Sequence, residues 1–329
     1  MKASSILALA LALGMAAASH AAGYYGVSDP VMGEYDGFWT AENGARGRFT
    51  AQIRPVSNNR YDGFILMFRA RNPVTSLNLS PGTYENGQMA FTAATATRES
   101  GGDLLAQSEA TGAIKEGKLS GTFKGELGEG KFEATKSERR SSTLGAKPPA
   151  GAIVLFDGKP GEAWEDFNWP VVDGAAQVGA NNVKVKEPLR DFRLHLEFRT
   201  PYMPAETGQK RGNSGVYLQG KYEVQVLDSF GLFALKDNDC GGIYKVQAPT
   251  LNACLPPMEW QIYDITFRSS GPTITVSLNG SVVINEAKVP ANLVANGTGG
   301  GDPNAGFLLL QNHNDPVQFR NIWAQPLGR

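Results

Sequence analysis

Apolar and polar residues alternate in short runs along this chain, and glycine interrupts the runs, while no long stretch has apolar residues at helical spacing. Phe49, Ala51 and Ile53 alternate with Thr50, Gln52 and Arg54; Leu119, Gly121 and Phe123 repeat the pattern before Gly125; Phe132 and Ala134 follow Gly130. A residue period of two puts one set on a buried face, so these runs predict the hairpins of a small β-barrel or sandwich. Farther on, Phe192, Leu194, Leu196 and Phe198 face one way while Arg193, His195, Glu197 and Arg199 face the other, an outer series expected to be solvated. Thr273 to Asn279 repeats the alternation, with Ile274, Val276 and Leu278 on the buried side and an Asn-Gly turn at Asn279-Gly280. Two stacked antiparallel sheets follow from such runs. The fold class predicted is all-β throughout.

Between the two halves lies Lys136-Ser-Glu-Arg-Arg-Ser-Ser-Thr-Leu-Gly-Ala-Lys-Pro-Pro149, charged and then proline-bearing, with nothing periodic to bury. The expected organisation is a leader at 1–22, a small all-β domain at 23–138, a linker at 139–150 and a sandwich at 151–329. Lys2, the apolar run Ile6 to Ala18 and Ser19-His20-Ala21 have the charged, apolar and cleavage regions of a secretory signal. The run is too short to cross a bilayer, so export to the periplasm or beyond is expected, with no membrane span. Of 329 residues, 31 are basic and 32 acidic, giving a net charge of −1 and no positive excess to hold a nucleic acid. Cys240 and Cys254 are the two cysteines, and an even count in an exported chain predicts one disulfide, closing a loop of about 15 residues. Their spacing lacks the neighbouring histidines of a zinc site.

Candidate chemistry gathers in the second half. Arg211-Gly-Asn-Ser-Gly-Val-Tyr-Leu-Gln-Gly220 and Lys221-Tyr-Glu-Val-Gln-Val-Leu-Asp228 read as a hairpin whose second strand puts Glu223 and Gln225 on one face. Asp228 has the wrong parity, and a β-bulge at Val226 or Leu227 would bring it back beside them. Leu309, Gln311 and His313 alternate in the same way, offering an amide and an imidazole from another strand. His313 is the acid-base candidate, since His20 leaves with the leader and His195 belongs to the outer polar series. Arg211, Asn213, Gln225, Tyr244, Lys245 and Gln311 are the candidate substrate contacts. Tyr244-Lys245 follows Cys240-Gly-Gly, so the expected bridge would tether the loop that delivers a phenol and an ammonium. Trp260, Tyr263 and Trp323 are assigned to the core rather than to sugar stacking.

Leu155-Phe-Asp-Gly158, Asp191 to Arg199, Asn213 to Gln219, Tyr222 to Asp228, Gly242-Ile-Tyr244, Glu259 to Asp264, and Leu310 to His313 through Phe319 to Trp323 resemble, in order, the successive motifs of 3-keto-disaccharide hydrolases. The resemblance implies a concanavalin-like jelly roll, an exported setting and substrates whose sugar ring carries a ketone at carbon 3. The first domain is similar to a small β domain that precedes some members. A base, an enolate stabiliser and an acid are then needed: His313 or Glu223 as base, Lys245, Tyr244 or a divalent ion at the oxyanion, Asp228 or Tyr244 as acid. Glu223, Asp228 and His313 are the set that would hold a divalent metal, the one cofactor considered. Two other readings stand beside this one. Glu223 to Asp228 has the spacing of the paired acids of retaining jelly-roll glucanases, although Gln225 replaces the middle acid. A non-catalytic carbohydrate-binding module is the third, because a fold does not fix a chemistry.

Overall fold

The computed structural model describes residues 23–70, 72–95, 108–293 and 306–328; the expected leader at 1–22 lies outside them. Nearly all regular structure among the described residues is strand. Eight strands, β1 (Gly33–Ala41), β2 (Arg46–Ser57), β3 (Arg60–Arg69), β4 (Asn72–Glu85), β5 (Gln88–Thr95), β6 (Glu109–Lys115), β7 (Lys118–Gly125) and β8 (Gly128–Ser137), each pair with the next, and β8 closes on β1 into a barrel. The inward set contains Phe49, Ala51, Ile53, Leu119, Phe123, Phe132 and Ala134, all buried, as the alternation predicts. Phe49 and Phe132 stack inside with ring centroids 4.7 Å apart. Trp39 Nε1 donates to the Phe68 carbonyl (3.1 Å) past Gly47, where a Cβ would lie 2.6 Å from that nitrogen. The barrel interior is therefore filled by side chains.

The second half is a sandwich built from β9 (Ile153–Phe156), β10 (Trp164–Glu165), β11 (Val171–Val172), β12 (Ala175–Gln177), β13 (Val183–Val185), β14 (Phe192–Arg199), β15 (Ser214–Leu218), β16 (Tyr222–Val226), β17 (Gln261–Arg268), β18 (Thr273–Leu278), β19 (Ser281–Lys288), β20 (Leu309–Leu310) and β21 (Gln318–Pro326). One sheet has the order β10-β13-β20-β15-β16; the other runs β11-β12-β21-β14-β17-β18-β19, with β9 also on β21. Their inner faces share one core, in which Phe192, Leu194, Leu196 and Phe198 meet Val216, Leu218, Val224 and Val226. The Tyr222 ring crosses from the first sheet to within 5.9 Å of Phe267 on the second. Asn279 and Gly280 both take positive φ (52° and 82°), the tight turn their dipeptide predicts.

Residues 139–150 carry no strand but are not a free tether. Arg139 Nη2 donates to the Cys254 carbonyl (3.0 Å), Thr143 Oγ1 to Asp264 Oδ2 (2.9 Å) and the Gly145 amide to Glu197 Oε1 (2.6 Å). The Ala146 carbonyl accepts from Asn321 Nδ2 and Trp323 Nε1. This segment is a strap across the outer face of the larger sheet. The segment before β1 docks on the sandwich as well, through the Tyr25 hydroxyl to the Pro316 carbonyl (2.7 Å) and through Asp29, which accepts from the Tyr202 hydroxyl (2.8 Å).

Candidate functional site

The outer face of the five-stranded sheet carries polar groups that are nonetheless buried. On β15 and β16 Tyr217 lies opposite Glu223 and Gly215 opposite Gln225. The Tyr217 hydroxyl donates to Glu223 Oε2 (2.8 Å) and accepts from Gln311 Nε2 (3.2 Å). Gly215 leaves room for this arrangement, since a Cβ there would displace the Glu223 carboxylate. Glu223 is 2% exposed, and burial pushes its carboxyl up to about 7 against the Tyr217 hydrogen bond and the Lys245 charge, which both lower it. Tyr217, Leu309 and Tyr244 form a small apolar cluster beside it. The Tyr244 amide donates to the Glu223 carbonyl (3.0 Å), and the Lys245 ammonium lies 5.3 Å from the Tyr244 ring centre.

Along the same sheet, Gln225 Nε2 donates to Asn213 Oδ1 (2.9 Å), and the Asn213 backbone N–H donates to Asp315 Oδ2 (2.7 Å). Burial raises the Asp315 carboxyl, while its backbone hydrogen bonds and the nearby His313 lower it. Buried polar atoms without a partner among the described residues are Gln311 Oε1, beside Tyr217, and, at the tip of the same hairpin, both side-chain polar atoms of Gln219. Buried amides are normally paired, so the unpaired oxygen of Gln311, one hydrogen bond removed from a high-pKa carboxyl through Tyr217, marks a place for a ligand's hydroxyl group.

The structure thus brings Glu223, Gln225, Asn213, Gln311, Tyr244 and Lys245 to one face. It does not bring His313 and Asp228 to Glu223. His313 is exposed, beyond the end of the two-residue β20, so the alternation read from Leu309 onward stops at Gln311. Asp228 is held in a buried ion pair, Arg211 Nε to Oδ2 at 2.7 Å, and also accepts the Phe230 amide. The register of β15 with β16 runs without a bulge to Val226, so nothing re-aims Asp228, and Arg211 is committed to it. Glu223, Asp228 and His313 accordingly do not form a metal set, and no cluster of three such ligands occurs among the described residues. Cys240 and Cys254 are neighbours but are two buried thiols, not the expected disulfide, and the Cys240 sulfur lies 3.2 Å from the Tyr263 hydroxyl. Tyr217 was not singled out from the sequence, although a turn at Gln219-Gly220 places it across from Glu223.

The outer face of the larger sheet holds a second buried polar cluster, also missed. His195, expected to be solvated, is 1% exposed, with Nδ1 2.7 Å from Asp264 Oδ1 and its ring stacked on Trp323 at 4.9 Å. Glu197 accepts from Arg320 Nε (2.7 Å), Asn321 Nδ2 (3.0 Å) and the Gly145 amide. Burial alone would raise Glu197, but these hydrogen bonds and that from His195 outweigh it and bring the carboxyl down to about 2. Burial alone would lower His195, and its bonds to Asp264 and Glu197 outweigh it, raising the imidazole. Trp323 packs on this cluster rather than in the core, and Trp260 lies under the guanidinium of Arg320 (3.9 Å); Tyr263 alone of the three aromatics is a core residue.

Comparison with known proteins places this geometry in a family. Residues 151–325 match the family described as 3-keto-alpha-glucoside-1,2-lyase-like domain. No curated protein matches the chain. Among solved structures, a candidate glycosyl hydrolase from Parabacteroides distasonis ATCC 8503 is 35% identical, over 57% of this chain and 90% of that one, with a TM-score of 0.49. A second candidate glycosyl hydrolase from the same organism is 21% identical, over 54% of this chain and 94% of that one, with a TM-score of 0.42. The family match spans more than half of the chain, from the end of the strap to the last strand, and the chain belongs to the 3-keto-alpha-glucoside-1,2-lyase-like family.

Proposed function

We propose that this protein is an exported enzyme that cleaves 3-keto-glycosides on a jelly-roll sandwich, with Glu223 as the base. The observation that carries the reading is the Glu223 carboxyl itself: buried, hydrogen-bonded by Tyr217 and raised to about 7. A base whose pKa lies near the working pH combines a useful ionised fraction with real proton affinity. The ketone at carbon 3 acidifies the hydrogen on carbon 2. Glu223 takes that proton, the electron pair forms the enolate, and the bond from carbon 1 to the leaving oxygen then breaks. That oxygen leaves with a proton given by the Tyr244 phenol, which is reprotonated through solvent as Glu223 releases the proton it took. Water adds its hydroxyl to carbon 1 and its hydrogen to carbon 2 of the resulting double bond, so the net change is hydrolysis. The Lys245 ammonium would stabilise the enolate oxygen. Gln219 and Gln311 would pair their unsatisfied amide atoms with ring hydroxyls. Family membership supports a carbohydrate-cleaving enzyme in general. A retaining glycosidase would need a second carboxylate ~5 Å from the first. Asp228, the acid read for that role, is paired with Arg211.

Purified protein incubated with native and 3-oxidised disaccharides, with and without chelator, tests the reading. Cleavage of the oxidised form alone is expected, and Glu223→Gln should lower its turnover by ~10²-fold or more with unchanged circular dichroism. Cleavage of native disaccharides, or full turnover in Glu223→Gln, would overturn it.

A further inference from the structure

We infer that the barrel is a working part of the site: its outer face holds the 228–245 segment in register with Glu223, and Gln52 and Phe64 are the positioning residues. The inference rests on the reading of Glu223 as the base. Gln52 on β2 and Phe64 on β3 are direct partners in the barrel sheet, with side chains opposite in parity to the inward Ala51, Ile53 and Ile65. Outward residues of a free barrel face water, yet Gln52 and Phe64 are 3% and 4% exposed. What covers them is the sandwich. Gln52 Oε1 accepts the Gly231 amide (3.2 Å), and the Phe64 ring lies 5.8 Å from that of Phe233. Gly231 has φ 76° and presses on the Arg54 side chain, where a Cβ would come within 2.9 Å. Beside it, Arg211 of the buried Asp228 pair donates from Nη1 to the barrel's Pro55 carbonyl (2.9 Å).

From Gly231 the contacts lead back to the base. The chain between β16 and β17, residues 227–260, contains no strand, and so long an irregular segment needs fixed points to hold one conformation. Ser229 Oγ donates to Asp239 Oδ1 (3.1 Å) and accepts the Cys240 amide (3.0 Å). The Gly242 amide donates to the Asp239 carbonyl, the Lys245 amide to Asp237 Oδ2 (2.7 Å), and the Tyr244 amide to the Glu223 carbonyl. Tyr244 and Lys245 therefore reach Glu223 on a segment whose far turn is pinned to the barrel.

Full-length Gln52→Ala, Phe64→Ala and Phe64→Leu test this. In the first two, amide exchange across 229–245 should rise about tenfold or more while exchange in β5–β7 stays constant, because both side chains lie on the barrel exterior, away from those strands. With a 3-keto-glycoside, kcat should fall roughly tenfold with KM nearly unchanged, as expected for a displaced catalytic group. The acid limb of the pH profile should move upward, because the Lys245 charge that lowers Glu223 is no longer held near it. Phe64→Leu, which keeps an apolar side chain against Phe233, should restore most of both. Unchanged exchange across 229–245 in Gln52→Ala would overturn the inference whatever the turnover. A wild-type protein inactive on every 3-keto-glycoside would sink the function, and a rise in exchange in the variants would then still establish the support. If Phe64→Ala fails to fold, Gln52→Ala and Phe64→Leu decide.

Discussion

Each face of the sandwich buries a glutamate under a covering segment, and the two are driven in opposite directions. Glu197, beneath the strap, is surrounded by donors and sits at about 2; Glu223, on the other sheet, has a phenol for a neighbour and sits at about 7. The charge of Glu197 is met by Arg320 and by the Gly145 and Asn321 N–H groups, whereas Glu223 is met by the Tyr217 hydroxyl, whose other partner, Gln311, has an oxygen unpaired among the described residues. A buried carboxylate ringed by charged and neutral donors is a fastener, since any proton it takes up breaks bonds already made. One whose burial outweighs its donors keeps its proton affinity for something else. Burial therefore does not separate site from scaffold in this molecule, and the strength of the surrounding pairing does.

The largest expected effect tests that distinction on the fastener. Glu197→Ala leaves the Gly145 amide, Asn321 and Arg320 without their acceptor; the Arg320 side chain is 37% exposed and can turn to water, so the loss is that of hydrogen bonds to a buried carboxylate, about 1.5–3 kcal/mol. Urea denaturation should show that loss, while turnover per folded molecule stays near the wild type. Glu223→Gln should do the reverse, with stability held and turnover lost. A Glu197→Ala protein as stable as the wild type would break the comparison, because its network would then hold nothing.

The sequence showed one face far better than the other, for physical reasons. Glu223 and Gln225 were legible because a hairpin with a fixed turn sets parity, and parity survives packing. The outward parity of His195 and Glu197 was legible too, but their burial was not. The strap that covers them binds through the Gly145 amide and the Ala146 carbonyl, backbone groups that no hydrophobic pattern records. Asp228 and His313 failed for different reasons: the bulge expected at Val226 or Leu227 does not form and Asp228 pairs with Arg211 instead, while for His313 the alternation was extended past Leu310, where the strand ends. The family motifs located the sheet, and the hydrogen bonds of Tyr217 and Gln311 located the centre within it.

A smaller effect sharpens the comparison through pH. Glu197, depressed from 4.5 to about 2, contributes stability that is present above 4.5 and lost as pH falls through about 2. His195, raised above 6.5, contributes stability that is full below 6.5 and fades as pH rises through its folded value. The strap should hold most tightly between these limits. Proteolysis at Arg139 and Arg140, normalised to a free peptide of residues 139–150, should be slowest near pH ~5.5 and several-fold faster at pH ~9. His195→Phe keeps a ring to stack on Trp323 and should abolish the alkaline rise; an unchanged rise would assign it to another group.

The smallest effect concerns Gln219, at the tip of the hairpin that carries Glu223, where an unpaired amide can be separated from stability. Gln219 follows β15 at the hairpin tip, takes φ 55°, and is 2% exposed, with neither side-chain polar atom bonded among the described residues. A buried unpaired amide costs ~1–3 kcal/mol, and a left-handed conformation adds about 1 kcal/mol for a residue with a Cβ. A glycine at this position would shed both costs at the expense of some packing, so Gln219→Gly should raise stability by ~1 kcal/mol. If the amide waits for a substrate group, the same change removes a neutral hydrogen bond of ~0.5–1.5 kcal/mol from the complex, and kcat/KM on a 3-keto-glycoside should fall roughly two- to tenfold. Stability and turnover would then move in opposite directions, as expected where a chain tolerates strain for function. A variant that loses stability and keeps its turnover would place Gln219 with the fasteners, alongside Glu197.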